Sequence, residues 1–413
     1  MTDHPRATIL TILGTRPEAV KLAPVLKQLG EQRSINLRIC VTGQHREMLD
    51  PFLRLFDIHP NCDLDIMTSN QDLFDVSVAA LAGLKTVITR EEPALVLVHG
   101  DTTTALMGAM AAFYLGSPIG HIEAGLRSGR KYDPFPEEAN RMLIDRLSDL
   151  LFAPTEANRQ NLLSEGIAAD RVFVTGNTVI DALLMTAEKA KDFDPTSALG
   201  LGRGRKMILV TGHRRESFGD GLLNICNALL RIRDQNPDVE IVYPVHLNPR
   251  VRGPVTQILG RADRVHLIDP VDYVSFVSLM ERAFIILTDS GGVQEEAPSL
   301  GKPVLVMRNA TERPEAIASG AAKLVGTSVD SIVAEANRLL RDPEEYERMA
   351  NAPNPYGDGR AAERIVDIIL GELGRPSLSA PGERIRMALG KRVSANHAST
   401  VERDGPSEAA AAI

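Results

Sequence analysis

A chain of 413 residues exceeds one ordinary domain, so two cores of usual size are the first expectation. Hydrophobic residues at 44% and charged residues at 24% describe a soluble globular protein, and a net charge of -8 argues against non-specific binding to nucleic acid or an anionic membrane. The cysteines Cys40, Cys62 and Cys226 are few and widely spaced, which excludes a disulfide framework and a zinc ribbon and fits a reducing cytoplasm.

The first apolar run, A-T-I-L-T-I-L (7–13), is too short for a signal segment or a membrane span and reads as a buried strand. Further strand-like runs follow at 37–41, 94–98, 118–122 and 171–175, separated by helix-length segments. Apolar runs without alternation mark strands covered on both faces, and strand-helix alternation implies a parallel sheet. A stretch rich in Gly and charge (188–206) then interrupts the pattern, which restarts at 207–211, 239–245, 265–268, 283–288, 303–307 and 322–325. The expected fold is α/β, with two doubly wound Rossmann-like domains facing across a cleft. Residues 1–176 form the first domain in this reading, 177–205 the inter-domain segment and 206–357 the second domain. A terminal helix occupies 358–374, and 375–413 reads as a disordered tail.

Ligands bind such folds outside the carboxyl ends of the strands, and six strand-end loops carry unusual polar content. G-T-R-P-E-A-V-K (14–21) offers Arg16 and Lys21 near a helix N-terminus, either as anion ligands or as solvated charges on an ordinary turn. V-H-G-D-T-T-T (98–104) ends an apolar strand in Asp101, a helix cap or a cleft carboxylate. H-I-E-A-G-L-R (121–127) places Glu123 just past a buried strand, where it needs the cleft or an Arg partner. P-F-P-E-E-A-N-R (134–141) puts Glu137 and Glu138 in a first helical turn, where the helix dipole alone accounts for acidic residues. T-G-H-R-R-E-S-F-G (211–219) gathers His213, Arg214 and Arg215 at a strand end, and an anion is the simplest partner for them. L-T-D-S-G-G-V-Q-E-E-A (287–297) joins Ser290, Gly291 and Gly292, suited to an anion, with Glu295 and Glu296. Its sequel carries Arg313 before a proline, as Arg16 stands before Pro17. G-x-G-x-x-G after a strand, the P-loop, H-E-x-x-H and G-x-S-x-G are all absent, which removes the usual signals of four other chemistries.

These motifs, together with V-T-G-Q-H-R-E-M-L (41–49), G-N-T-V-I-D-A-L (176–183) and Y-P-V-H-L-N-P (243–249), resemble the non-hydrolysing UDP-N-acetylglucosamine 2-epimerases of bacteria from about Ile9 to about Leu373. The resemblance implies a GT-B-like fold whose terminal helix crosses back to the first domain, a homodimer, and interconversion of UDP-N-acetylglucosamine and UDP-N-acetylmannosamine with no nicotinamide cofactor and no required metal. It assigns Asp101, Glu123, Glu137 and His213 to catalysis. It assigns Arg16, Lys21, His213, Phe276, Ser290, Gly291, Gly292, Glu296 and Arg313 to UDP, with Glu296 on the ribose and Glu295 as a helix-surface or inter-element contact. It further implies activation by a second substrate molecule at Gln44, Glu47, Arg214 and His246, although some relatives carry Gln where this chain has Glu47. A hydrolysing epimerase that releases N-acetylmannosamine and UDP, and a GT-B glycosyltransferase, are the alternatives. The product feeds surface polysaccharide synthesis in this reading, in the cytoplasm, with no nucleic-acid or membrane partner.

Overall fold

The computed structural model describes residues 6–373 except 44–45, 69, 192, 203 and 215–217. Gln44, Arg215 and the expected tail therefore lie outside the described residues, and of Glu47 only the backbone is described. The chain begins β1 (Ala7–Leu13), α1 (Arg16–Gly30), β2 (Ile35–Val41), α2 (Arg46–Leu55), β3 (Cys62–Asp63) and α3 (Leu73–Glu91). It continues β4 (Leu95–His99), α4 (Thr103–Leu115), β5 (Ile119–Ile122), α5 (Glu137–Leu147), β6 (Leu150–Ala153), α6 (Glu156–Ser164) and β7 (Val172–Val174). After α7 (Thr178–Ala190) come β8 (Lys206–Thr211), α8 (Asp220–Gln235), β9 (Val239–Pro244), α9 (Pro249–Leu259), β10 (Val265–Ile268) and α10 (Tyr273–Arg282). The last part runs β11 (Ile285–Thr288), α11 (Gly291–Glu296), β12 (Val304–Val306), α12 (Pro314–Ala318), β13 (Ala322–Leu324), α13 (Val329–Arg341), α14 (Pro343–Ala350) and α15 (Ala361–Glu372).

All strand pairs are parallel. The first sheet has the order β3-β2-β1-β4-β5-β6-β7 and the second β10-β9-β8-β11-β12-β13, so this is a two-sheet, doubly wound α/β fold of the GT-B type. Helices cover both faces of each sheet, which is why β4 and β11 are buried at every residue and read as unbroken apolar runs.

Two helices tie the halves together. α7 lies in the expected inter-domain segment, and its Val179, Ile180 and Leu183 join the core beneath β8 and β11 while the helix also packs on α1. α15 carries Ile365, Val366 and Ile369 into the core of the first sheet beside Leu22 and Leu26. Asp181 of α7 accepts from the backbone N–H of Ala361 and Ala362 at 3.2 and 2.8 Å, so α7 caps the helix that returns to the first sheet.

Candidate active site

In the first sheet β1 stands between β2 and β4, and in the second β8 stands between β9 and β11. The connections leave those strands in opposite directions, and the loops at their carboxyl ends splay to open a crevice. The loops after β1, β4, β8 and β11 are therefore the walls of the site.

Gly14 starts the first of them because a side chain has no room there: a Cβ would lie 2.3 Å from Thr42 Oγ1 and 2.5 Å from Thr104 Oγ1. Glu18 is buried and accepts from the N–H of Gly14 (3.0 Å) and Thr15 (2.7 Å) and from the Thr102 hydroxyl (2.8 Å). This capping carboxylate locks the β1 and β4 loops to each other. Arg16 is exposed at the first position of α1, with its guanidinium 5.4 Å from the Phe52 ring centre, and Lys21 follows on the same helix.

Two cavities meet at Lys21. One, of ≈ 340 Å³, is lined by Glu18, His99, Asp101, Glu123 and Arg141 among others. The second, of ≈ 560 Å³, is lined by Arg16, His213, Phe276, Ser290, Gly292 and Glu296 among others. Pro17, Lys21 and Arg313 line both.

The smaller chamber separates its two carboxylates electrostatically. Glu123 adopts φ 70, a left-handed conformation that costs a non-glycine residue on the order of 1 kcal/mol or more and persists only where surroundings fix it. The N–H groups of Glu123 and Ala124 both donate to Phe152 O at 3.1 Å, which does so here. The Glu123 carboxylate accepts from Lys21 Nζ and from Asn177 Nδ2 (3.2 Å), and lies 3.7 Å from His99 Nε2. Burial opposes its ionisation, but the cations Lys21 and Arg313 outweigh burial and hold the carboxyl down at about 2. Asp101 goes the other way. Burial raises it, and Arg141 at 2.5 Å offsets this only in part. Asp101 does not cap α4; Thr102 does, accepting from Ala105 N–H at 3.0 Å, which leaves the Asp101 carboxylate to the cavity and Arg141. His99 is buried and lowered to about 3 by that burial, so its imidazole is neutral, and its Nε2 has no hydrogen-bond partner.

The larger chamber is built from second-sheet loops. Asp289, after β11, accepts from the N–H of His213 (2.7 Å) and Arg214 (2.8 Å), which ties the β8 loop to the β11 loop. His213 stacks on His246 with ring centres 5.6 Å apart, and burial lowers its pKa. Arg214 pairs with Glu312 at 2.8 Å. Ser290 is the N-cap of α11, Gly292 lines the chamber, and Gly291 faces Glu312 instead, where an added Cβ would come within 2.8 Å of that carboxylate. Glu296 accepts from the Tyr273 hydroxyl at 2.6 Å and is raised by burial to about 7. Glu295 is not on a helix surface: it is buried, pairs with Arg313 and receives Asn177 Nδ2 at 3.4 Å.

The structure thus brings together Arg16, Lys21, Asp101, Glu123, His213, Phe276, Ser290, Gly292, Glu296 and Arg313, with His246 at the rim. Glu137 opens α5 and is not among the lining residues; its neighbour Glu138 is buried and accepts from the N–H of Ser128 and Gly129 at 2.9 and 3.1 Å. Sequence reasoning assigned no role to Arg141, Asn177, Tyr273, Glu18 or His99. Arg141 had a local signal, a cation one turn after two glutamates, and Glu18 another, the T-x-x-E capping pattern of 15–18. Among the described residues no group of three or more His, Cys, Asp or Glu is placed to hold a metal ion, and no helix is long and apolar enough to cross a membrane.

Fold and site together define a GT-B-like α/β enzyme whose cleft joins a cationic, nucleotide-sized chamber to a chamber of carboxylates. The profile of the UDP-N-acetylglucosamine 2-epimerases matches residues 27–370. A UDP-N-acetylglucosamine 2-epimerase of Escherichia coli K12 is 54% identical over 367 residues, covering 87% of this chain and 98% of the relative. That of Campylobacter jejuni is 51% identical over 372 residues, covering 88% and 97%. The Neisseria meningitidis UDP-GlcNAc 2-epimerase, solved bound to UDP-GlcNAc, superposes with a TM-score of 0.79 at 49% identity over 88% of this chain and 100% of that one. The chain belongs to the UDP-N-acetylglucosamine 2-epimerase family.

Proposed function

We propose that this enzyme interconverts UDP-N-acetylglucosamine and UDP-N-acetylmannosamine by expelling UDP and adding it back. The observation that carries this reading is the pair of chambers joined at Lys21 and Arg313. Cations that favour a departing diphosphate stand between the nucleotide side and the carboxylates.

The sugar C2 proton is not α to a carbonyl, so no ordinary base removes it readily. Ionising the C1–O bond gives C1 oxocarbenium character, which acidifies C2; loss of that proton leaves a glycal and UDP. Protonating C2 from the opposite face while a UDP oxygen re-forms the C1–O bond returns the epimer, with atoms and electrons balanced. Glu123, held ionised beside Lys21, supports the positive charge that develops at C1. Asp101, raised by burial, suits the transfer of a proton at C2 better than a carboxylate held near 2. Glu137, in the first turn of α5, is the third carboxylate of this reading. The neutral His213 donates to the leaving diphosphate, and Arg16, Lys21, Arg313, Ser290, Gly291 and Gly292 hold it. Glu296 accepts from the ribose, and Phe276 packs near the base. The Neisseria relative solved bound to UDP-GlcNAc supports a UDP-sugar as the ligand.

In the same reading residues 1–176 and 206–357 are the two domains, 177–205 connects them and 358–374 returns to the first. The protein acts in the cytoplasm and supplies N-acetylmannosamine units for surface polysaccharide. A second substrate molecule at Arg214 and His246, with Gln44 and Glu47, raises turnover. The active form is a homodimer, and the exposed Phe74, Val78, Phe113, Tyr114 and Leu143 on the adjacent helices α3, α4 and α5 supply an apolar face for a second copy. Incubation with UDP-N-acetylglucosamine, followed by proton NMR, is expected to yield UDP-N-acetylmannosamine. Free N-acetylmannosamine and UDP as dominant products would instead make it a hydrolysing epimerase.

A further inference from the structure

Beneath the two proposed catalytic carboxylates lies a buried polar pair that lines neither chamber and does not reach solvent. His121, on β5, and Asp145, on α5, both have no exposed surface, and Nδ1 of the imidazole is 2.6 Å from Asp145 Oδ1. The other ring nitrogen, Nε2, is 2.8 Å from Gly100 O. A carbonyl oxygen only accepts, so Nε2 carries a proton and donates it to the turn that ends in Asp101. Asp145 reaches the other turn. Its Oδ2 accepts from Gly125 N–H at 3.3 Å and from Arg127 Nη1 at 2.8 Å, and Gly125 is two residues past Glu123.

Gly125 is packed closely against the backbone of α6. It has φ 84, and a Cβ there would lie 2.3 Å from Asn158 O. α5 adds two more holds on the Asp101 turn: Asn140 Nδ2 donates to Asp101 O at 2.9 Å, and Arg141 donates to its carboxylate. A fully buried polar contact of this kind is poor evidence of stability, because well-packed apolar residues of the same volume do as well or better. What such a pair supplies is a fixed geometry, and here the atoms it fixes belong to two turns on adjacent strands.

We infer that His121 and Asp145 are positioning residues that set the spacing of the Asp101 and Glu123 carboxylates across the sugar chamber. The inference rests on the proposed epimerisation and adds to it. A displacement of about 1 Å at either carboxylate is expected to lower turnover by about 10²-fold. Substrate binding, carried by the other chamber, is expected to hold.

The test compares His121→Asn and His121→Gln in the full chain. Asn keeps a polar atom near the Nδ1 position but does not reach Gly100 O, whereas the longer Gln places its amide near the Nε2 position. Wild type is first shown to form UDP-N-acetylmannosamine. His121→Asn is then expected to lose about 10²-fold in kcat with KM and UDP affinity changed less than about threefold. Its release of UDP and glycal per epimer formed is expected to rise, because re-addition needs both carboxylates in place. His121→Gln is expected to recover at least about tenfold of the lost kcat. If His121→Asn does not fold, Asp145→Asn, which conserves volume, replaces it with the same expectation of low kcat at unchanged KM. Equal kcat in the Asn and Gln variants, or a rise in KM with kcat intact, overturns the positioning role alone. Wild type that makes no epimer overturns the proposed function and this inference together.

Discussion

Asp101 and Glu123 face one small chamber and are driven apart by their neighbours, one raised by burial and one held near 2 by Lys21 and Arg313. Removing the titratable group while keeping its shape isolates the chemistry. Asp101→Asn is expected to lower kcat by at least about 10²-fold, with UDP affinity by calorimetry unchanged. Loss of UDP binding with normal turnover at saturation would remove Asp101 from the catalytic group. Glu296 offers a pH test. Its carboxyl, raised to about 7 by burial, is mostly protonated at pH 6 and mostly ionised at pH 8, and only the ionised form accepts from both ribose hydroxyls. UDP affinity should therefore rise by up to about tenfold between those pH values beyond any rise from the diphosphate itself. Glu296→Gln should keep only the diphosphate's share, and an unchanged slope in that variant contradicts the assignment. Sequence reached these residues because each closes a strand-end loop with polar groups that packing does not explain. It could not reach the His121–Asp145 contact, which joins residues 24 apart through tertiary structure, nor the burial of Glu295, which depends on Arg313 arriving from another loop.

At the scale of elements, each strand of the second sheet overlaps a mainly apolar run readable in the sequence, because a short apolar-rich run between turn signals leaves little else to be. Two strands of the first sheet were not readable. β3 has only two residues, and β6 follows α5 after only Ser148 and Asp149, so its L-L-F-A run merges with the helix before it. α15 was legible from its isoleucine spacing, but its return to the first domain came from the family resemblance alone, since periodicity shows that a face is buried and not against what. Its partner is the first-sheet core. Ile365→Ala removes a fully buried side chain from it and is expected to cost about 2–5 kcal/mol in urea unfolding, whereas a loss below about 1 kcal/mol contradicts the docking of α15 there.

The whole molecule joins a nucleotide chamber and a chamber holding Asp101 and Glu123 in one cleft, with Lys21 and Arg313 lining both. Its outer surface carries a second message in the exposed apolar side chains of α3, α4 and α5. Phe74→Glu combined with Leu143→Glu is expected to convert the proposed homodimer to a folded monomer by light scattering after size exclusion. A dimer that persists in the double variant places the interface elsewhere. The central claim, that C2 is inverted by loss and return of UDP with a proton taken from solvent, is tested most directly in deuterated water. UDP-N-acetylglucosamine incubated there with the enzyme is predicted to give UDP-N-acetylmannosamine carrying deuterium at C2, with traces of UDP and glycal. An epimer that retains its original C2 hydrogen would contradict the account.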